Sequence, residues 1–494
     1  MTAPDSQLTL KSSAGRWVLA ATVLGSGMAA LDATVVNVAL PRIGADLDAG
    51  LTSLQWTLNA YTLTLSGLLL LGGSLGDRLG RRRIFLLGVL WFAIASAGCA
   101  AAPTAQVLIG MRGLQGVAAA LLTPGSLAIL EAVFRREDRA AAVGAWSGLG
   151  GVAVAIGPVV GGLLAGMAPW GWRLAFLLNL PLAVAVIIVT RKWVPETRDE
   201  QASGKLDLIG AGYAALGLGA LVYALTEGPV RGWPASLGVT AAAGVLLLVA
   251  FGVNEHRRRH PMMPLSLFRS RQFSAANLVT FLVYAALAGA LFLLPVQLQL
   301  VTGFTPVAAG SSLLPVTAVM LALSARMGRL AQRIGPRRPM AFGPVVAGIG
   351  LAMLSRLGEG SDYLTGVLPA VLVFALGLTG TVAPLTATVL AAAPERQVGI
   401  ASAVNNAVAR TAGLLAVAVL PALAGITPAA LADPVALSHG YQQAVSIAAA
   451  LCVAGGLLAG LTISDDVLAG APEPAAATPT GVHPALEPPP SPER

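Results

Sequence analysis

Apolar runs of about twenty residues, the length that crosses a bilayer as a helix, follow one another along almost the whole chain. Short polar turns bearing glycine, proline and arginine separate them. The pattern predicts fourteen helices, near 17–40, 54–75, 84–102, 106–131, 139–165, 172–190, 206–227, 235–253, 273–297, 307–330, 338–356, 362–391, 398–424 and 440–463. The first run follows Lys11 and Arg16 in the manner of a signal peptide, but it continues through Val38 to Pro41. That is too long for a cleaved segment, so it reads as a first span.

Composition agrees with the pattern. With 494 residues, 56% hydrophobic, 11% charged and a mean hydropathy of +0.76, the chain reads as an all-α polytopic membrane protein. Its net charge of +8 is scattered between apolar spans without interleaved aromatics, so no nucleic acid is expected as a partner. The scatter has a direction. With both termini on one side, Arg42, Arg173, Arg231 and Arg356 fall on the opposite side and Arg112 and Arg410 within spans, leaving 25 of the 31 Lys and Arg together. The positive-inside rule makes that side cytoplasmic, with both termini there. A high arginine and alanine content hints at a bacterial source, hence a bacterial inner (cell) membrane. Cys99 and Cys452 both fall in spans, which excludes a disulfide framework. His256 and His260 lie in an arginine-rich loop with no third ligand, so no metal or cofactor is expected.

The sequence GSLGDRLGRRR, Gly73 to Arg83, recurs 255 residues later as GRLAQRIGPRR, Gly328 to Arg338. Two such turns at matching places imply two homologous six-helix bundles, 17–190 and 273–463, with an extra transmembrane pair, 206–253, inserted between them. A basic, proline-broken cytoplasmic linker covers 254–272, a cytoplasmic segment 1–16, and a disordered Ala- and Pro-rich tail 464–494. Duplicated halves suit alternating access around a central site in a monomer.

GSLGDRLGRRR resembles the signature loop between the second and third helices of the major facilitator superfamily. LDATVVNVALP (31–41), LIGMRGLQG (108–116), AIGPVVGG (155–162) and WGWRLAFLLNLP (170–181) resemble, at the expected helices, its fourteen-helix drug:proton antiporter family. The resemblance covers about 17–465 and implies a major facilitator fold. It also implies a secondary transporter that exports lipophilic or cationic drug-like molecules in exchange for protons, driven by the proton gradient with no cofactor. Small-molecule substrate, protons and membrane lipids are the partners this implies, and multidrug efflux and antibiotic resistance the setting. In that family the loop is a conformational switch, carried here by Gly73, Asp77, Arg78, Gly80, Arg81 and Arg82, and the fifth helix holds an antiport signature, carried by Gly157, Pro158, Gly161 and Gly162. Gln332 replaces the acidic residue in the second copy of the loop, which assigns the switch to the first. Ala153 stands where the family usually has glycine.

The residues support the reading independently. A carboxylate in an apolar helix costs roughly 2.5–3.5 kcal/mol at mid-bilayer, so Asp32 needs a reason. Asp32 lies about 12 Å, and Arg112 about 9 Å, from the outer ends of their helices, so the two share a depth. Burial and a nearby guanidinium shift a carboxyl's pKa in opposite directions, which suits an acid that binds and releases a coupling proton while Arg112 tunes it. A fixed structural ion pair is the bland alternative. In the loop, Gly73 is expected where a neighbouring helix approaches closely, and Asp77 is expected to meet a facing helix N-terminus or to pair with Arg78 or Arg81, locking the outward-facing state. Asn37, Tyr61, Gln297, Gln299, Asn405 and Asn406 are candidates for the lining of a central cavity. Three readings of Arg410 stand open: a cross-helix pair, contact with an anionic substrate, or snorkelling. Glu131 and Glu227, near span ends, are expected to be solvated at the interface.

No span carries a convergent catalytic set or a selectivity-filter-like segment, so an enzyme and a channel are disfavoured. Export of an endogenous metabolite such as an antibiotic, siderophore or lipid, and nutrient import by the same fold, remain as alternatives.

Overall fold

The computed structural model describes residues 8–198, 207–258, 261–394, 397–427, 430–431 and 433–468, and among these all extended regular structure is helical. The first half contains α1 (Ser13–Asp46), α2 (Leu51–Leu79), α3 (Arg81–Ala100), α4 (Ala105–Val133), α5 (Arg136–Met167), α6 (Trp172–Leu177) and α7 (Asn179–Trp193). An inserted pair follows, α8 (Leu208–Arg231) and α9 (Ala235–Arg257). The second half contains α10 (Arg271–Leu300), α11 (Pro306–Ser311), α12 (Leu314–Ile334), α13 (Arg337–Leu354), α14 (Leu368–Ala391), α15 (Val398–Leu423) and α16 (Pro434–Thr462).

The spans at 172–190 and 307–330 each arrive in two pieces. The break between α6 and α7 falls at Leu178, before Pro181, and the break between α11 and α12 falls before Pro315, as proline's missing N–H would favour. Counting each broken span once, thirteen helices among the described residues are long and apolar enough to cross a membrane. The remaining one, α13, starts on Arg337 and Arg338, which dilutes its apolar content, and it completes the expected fourteen. The chain is a multi-pass membrane protein. Helix ends depart from the sequence reading by several residues: α1 begins inside the 1–16 segment, α16 begins at Pro434 rather than near 440, and Leu265–Arg269 of the linker forms a 3₁₀ turn. His260, residues 199–206 and the tail from 469 lie outside the described residues, while Asp465–Leu468, within the segment expected to be disordered, forms a 3₁₀ turn.

Internal duplication is visible in the packing. In the first half α1 packs on α5 and α7, α4 on α2 and α3, and α3 on α7; in the second, α10 packs on α15 and α16, α14 on α12 and α13, and α13 on α16. The halves meet where α2 faces α15, α5 faces α11 and α12, and α1 faces α10. The inserted α8 packs on both α2 and α15, bridging that seam from the lipid side, while α9 rests mainly on α8.

The two faces of the membrane differ. On the arginine-poor side one apolar cluster runs through both halves, joining Leu40, Leu54 and Phe176 to Phe292, Leu298 and Leu420. Gln55 Nε2 donates to the Val417 carbonyl at 2.7 Å and Gln299 Nε2 to the Val38 carbonyl at 2.9 Å, both across the seam. On the arginine-rich side each half keeps its own cluster, around Phe85, Ile129 and Phe134 in the first and Phe273, Met340 and Val389 in the second. The molecule is therefore closed at one end and open at the other.

Candidate functional site

Asp32 and Arg112 meet. Arg112 Nη1 lies 2.5 Å from Asp32 Oδ2, and both side chains are buried, 1% and 0% exposed. Position i+3 from Arg112 on α4 brings Gln115 to the same face, where its Nε2 donates to Asp32 Oδ1 at 2.9 Å and its Oε1 accepts from Arg112 Nη1 at 2.6 Å. Asn179, at the start of α7, donates its Nδ2 to Asp32 Oδ1 at 2.9 Å, and Ser96 of α3 accepts from both amides. Arg112 Nε donates to the Thr57 carbonyl of α2 at 3.0 Å, and its guanidinium stacks 4.3 Å from the centre of the Tyr61 ring. Five helices thus converge on one carboxylate. Such an arrangement holds the charged acid by charge-assisted bonds and, once the acid is protonated, leaves the guanidinium with neutral partners.

Gln115, Asn179 and Ser96 were not among the sequence candidates. Gln115 and Asn179 stand inside LIGMRGLQG and WGWRLAFLLNLP, and a polar residue in an apolar span was the available signal.

A cavity of about 640 Å³ opens between the halves on the arginine-rich side. Leu69, Gly73 and Asp77 of α2, Pro124, Leu127 and Glu131 of α4, Trp146 of α5, and Ile400, Ala403, Asn406 and Arg410 of α15 line it, with Pro261 and Met262 of the linker at its mouth. The sequence candidates divide. Asn406 and Arg410 face the cavity. Asn37 and the other four do not belong to its lining. Tyr61 is buried under Arg112 with its hydroxyl donating to the Ala29 carbonyl. Gln297 is buried and donates to the Leu357 carbonyl, Gln299 closes the seam, and Asn405 donates to Asn277 Oδ1 and Thr280 Oγ1 within the second half. Helix-to-helix hydrogen bonding took these side chains because an unpaired amide in an apolar bundle is costly. Glu131, expected at the lipid interface, stands on the cavity wall instead. Glu227 accepts from Trp56 Nε1 and Arg231, tying the inserted pair to α2. The Asp32–Arg112 cluster is absent from the lining, sealed from the cavity by its own packing.

In the loop, Asp77 pairs with Arg81, one of the expected partners, at 2.8 Å. Arg81 N donates to the Thr197 carbonyl, Arg82 N to Glu196 Oε1 at 3.0 Å, and Arg82 Nη1 to the Val194 carbonyl at 3.1 Å. These bonds stay within the first half, as an open cavity on this side requires. Arg78 lies on the cavity wall. The close approach expected at Gly73 occurs one residue earlier. A Cβ on Gly73 would make ordinary contact with Pro124, whereas one on Gly72 would collide with the Ala120 carbonyl.

Sequence reading also missed how the turn is held. Gly80 has φ +111° and Gly335, its counterpart, φ +84°. A Cβ on the first would strike Glu196 and on the second Asp465, two acids that stand just past the last helix of their halves. Asp465 Oδ1 accepts from Arg337 N at 3.2 Å as Glu196 accepts from Arg82 N. In both halves a carboxylate therefore holds the positive start of the third helix, so this hold does not depend on the acid that Gln332 replaces. Gly80→Ala and Gly335→Ala should each destabilise the protein by about 1–2 kcal/mol, because the left-handed backbone is lost as well as the space. A lowered apparent Tm in detergent checks this, and unchanged melting of both variants would refute it.

On α5, a Cβ on Gly157 would meet Thr34 and one on Gly161 the Val35 backbone, so these glycines seat α5 against α1. Gly162 faces the other half: a Cβ there would meet the Pro306 carbonyl, and reciprocally one on Gly310 would meet the carbonyl of Pro158. Gly144, Gly148, Gly150 and Gly151 of the same helix have open space beside them.

Comparison with known proteins gives this architecture its family. The family model of the Major Facilitator Superfamily matches residues 22–418. The multidrug resistance protein Stp of Mycobacterium tuberculosis is 35% identical over 84% of this chain and 77% of its own length. The puromycin resistance protein pur8 of Streptomyces alboniger is 36% identical over 90% of this chain and 91% of its own, and the methylenomycin A resistance protein of Bacillus subtilis 37% over 83% and 87%. The fold is shared with the crystal structure of a bacterial homologue of the human lysosomal transporter Spinster, TM-score 0.67 at 18% identity, covering 94% of this chain and 100% of that one. With that match over most of its length and a duplicated bundle to account for it, the chain belongs to the Major Facilitator Superfamily, whose members move small molecules across membranes.

Proposed function

We propose that the chain exports lipophilic, drug-like small molecules from the cytoplasm in exchange for protons, as a monomer in a bacterial cell membrane. The observation that carries this reading is the buried carboxylate Asp32, held by Arg112 and by the side-chain amides of Gln115 and Asn179 in the first half and sealed away from the cavity. Arginine crowding on the open side makes that side cytoplasmic, so the cavity faces the compartment from which an exporter loads. Relatives bearing resistance names support a drug as cargo. In the proposed cycle, Asp32 takes a proton from the outside when the outer end opens, which frees Arg112 from its counter-charge. Closure toward the outside then releases the proton toward the cytoplasm as the Asp32–Arg112 pair re-forms, which gives the sealed, charge-paired state with the cavity open to cargo. The switch loop and the glycine seam on α5 separate the two end states.

In cells expressing the chain, a protonophore should raise the cell-associated fluorescence of N-phenyl-1-naphthylamine, a neutral lipophilic dye. An importer would show a fall, and an unchanged level would remove proton exchange from the reading.

A further inference from the structure

Two arginines lie within the spans, and the structure treats them differently. Arg112 is paired with Asp32 and bonded to Gln115 and the Thr57 carbonyl. Arg410 has no hydrogen bond or ion pair from any described residue, and its Nε is buried without a partner. It lies twelve residues into α15, about 18 Å from the arginine-rich end, where an unpaired guanidinium is expensive. It lines the cavity, and Asn406, one turn away on the same face, lines it too.

The acids of the cavity lining are elsewhere. Asp77, Glu131 and Asp207 all stand within about one turn of the mouth-side ends of their helices. Asp77 pairs with Arg81 and Asp207 with Arg258. Glu131 sits two residues from the end of α4, whereas Arg410 lies twelve residues into α15, and no ion pair joins the two. The deep end of the cavity therefore holds one unmatched positive charge with a side-chain amide beside it.

We infer that Arg410, with Asn406, is the subsite for an acidic group on the transported molecule, a carboxylate, sulfonate or ionised phenol attached to a lipophilic body. A bidentate guanidinium suits such oxygens, Asn406 supplies a further donor, and the apolar walls of Leu69, Leu127 and Ile400 take the body. The inference rests on the export reading for its direction of travel, but binding at Arg410 does not depend on proton coupling.

The test is equilibrium binding to the purified full chain in detergent, without any gradient. The probes are 8-anilinonaphthalene-1-sulfonate and N-phenyl-1-naphthylamine, which share a ring system and differ by the sulfonate. Energy transfer from the cavity-wall Trp146 reports occupancy, with Trp146→Phe subtracted as background. The wild type should prefer the anion. Arg410→Gln should weaken anion binding by roughly tenfold or more, the loss of a charged hydrogen bond, and leave the neutral probe unchanged. Arg410→Lys should retain most of the preference. Asn406→Asp keeps Arg410 but gives it a carboxylate at i+4 spacing, and should abolish the preference as well. A wild type that binds both probes equally, or Arg410→Gln with wild-type affinity for the anion, overturns the assignment. Failure of proton coupling would appear instead as gradient-independent transport with this binding pattern intact, so the two readings fall separately.

Discussion

Asp32→Asn should abolish uptake driven by an imposed pH gradient in everted vesicles or proteoliposomes, lowering the rate by at least tenfold, while solute exchange without a gradient continues. Asparagine keeps the shape of the carboxyl and its bonds to Gln115 and Asn179 but cannot carry a proton. The carboxylate lies among groups with little freedom: Arg112, Gln115 and Asn179 are all buried, and none of them nor Asp32 belongs to the lining of the open cavity. In an exchanger, a group sealed on one side in one state and exposed on the other side in the next is what couples ion to cargo. Removing the negative charge also leaves Arg112 buried beside neutral partners, and breaking a buried pair from one side costs about 3–5 kcal/mol, so the melting profile must be measured beside transport. Asp32→Glu restores a titratable acid and should recover part of the driven rate. A purely structural pair predicts a different result, in which Asp32→Asn melts early, yet whatever folds still responds to the gradient like the wild type. That outcome would end the proton assignment.

The sequence carried the architecture well because bilayer length is a strong constraint on every span, and because the repeated GSLGDRLGRRR pattern marks the symmetry directly. Asp32 and Arg112 were legible for the same reason: a charge in an apolar helix stands out, and helix rise gives its depth. Cavity lining was less legible. Gln297, Gln299 and Asn405 look like Asn406 in sequence, and only the rotation of each helix decides whether an amide meets a neighbour or the cavity. Helices in the middle of a bundle are apolar all round, so periodicity does not report rotation there. Glu196 and Asp465 were hidden for another reason. They stand in exposed segments beyond a helix end, where acids are ordinary, and their partners lie more than a hundred residues away in sequence.

Gly162→Leu should arrest the transporter with its outer end open, reducing transport at least tenfold while leaving the folded protein in the membrane. Along α5, Gly162 touches α11 at the Pro306 carbonyl, and Pro158, one turn earlier, presents its own carbonyl to Gly310. The halves therefore close over each other through two reciprocal pairs in which a hydrogen atom on one helix faces a carbonyl on the other. Small residues at such crossings allow backbone approach that a side chain forbids. A leucine at Gly162 leaves α5 free to pack on α1, because Gly157 and Gly161 face that way, so the bundle itself keeps its internal contacts. What the side chain blocks is the contact between halves, and only the state that uses this contact is lost. Gly310→Leu, from the other side of the same crossing, should give the same phenotype. The measurement is modification of a single cysteine placed at Gln55, after Cys99 and Cys452 are replaced by alanine. Gln55 is 4% exposed and bridges to Val417 across the closed end. A membrane-impermeant thiol reagent added from outside should label it slowly in the otherwise unmodified chain and much faster with leucine at Gly162 or Gly310. Should the labelling rate stay the same while transport falls, the crossing would matter for packing alone and the seal would have to lie elsewhere, in the apolar cluster that joins Leu54 to Leu420.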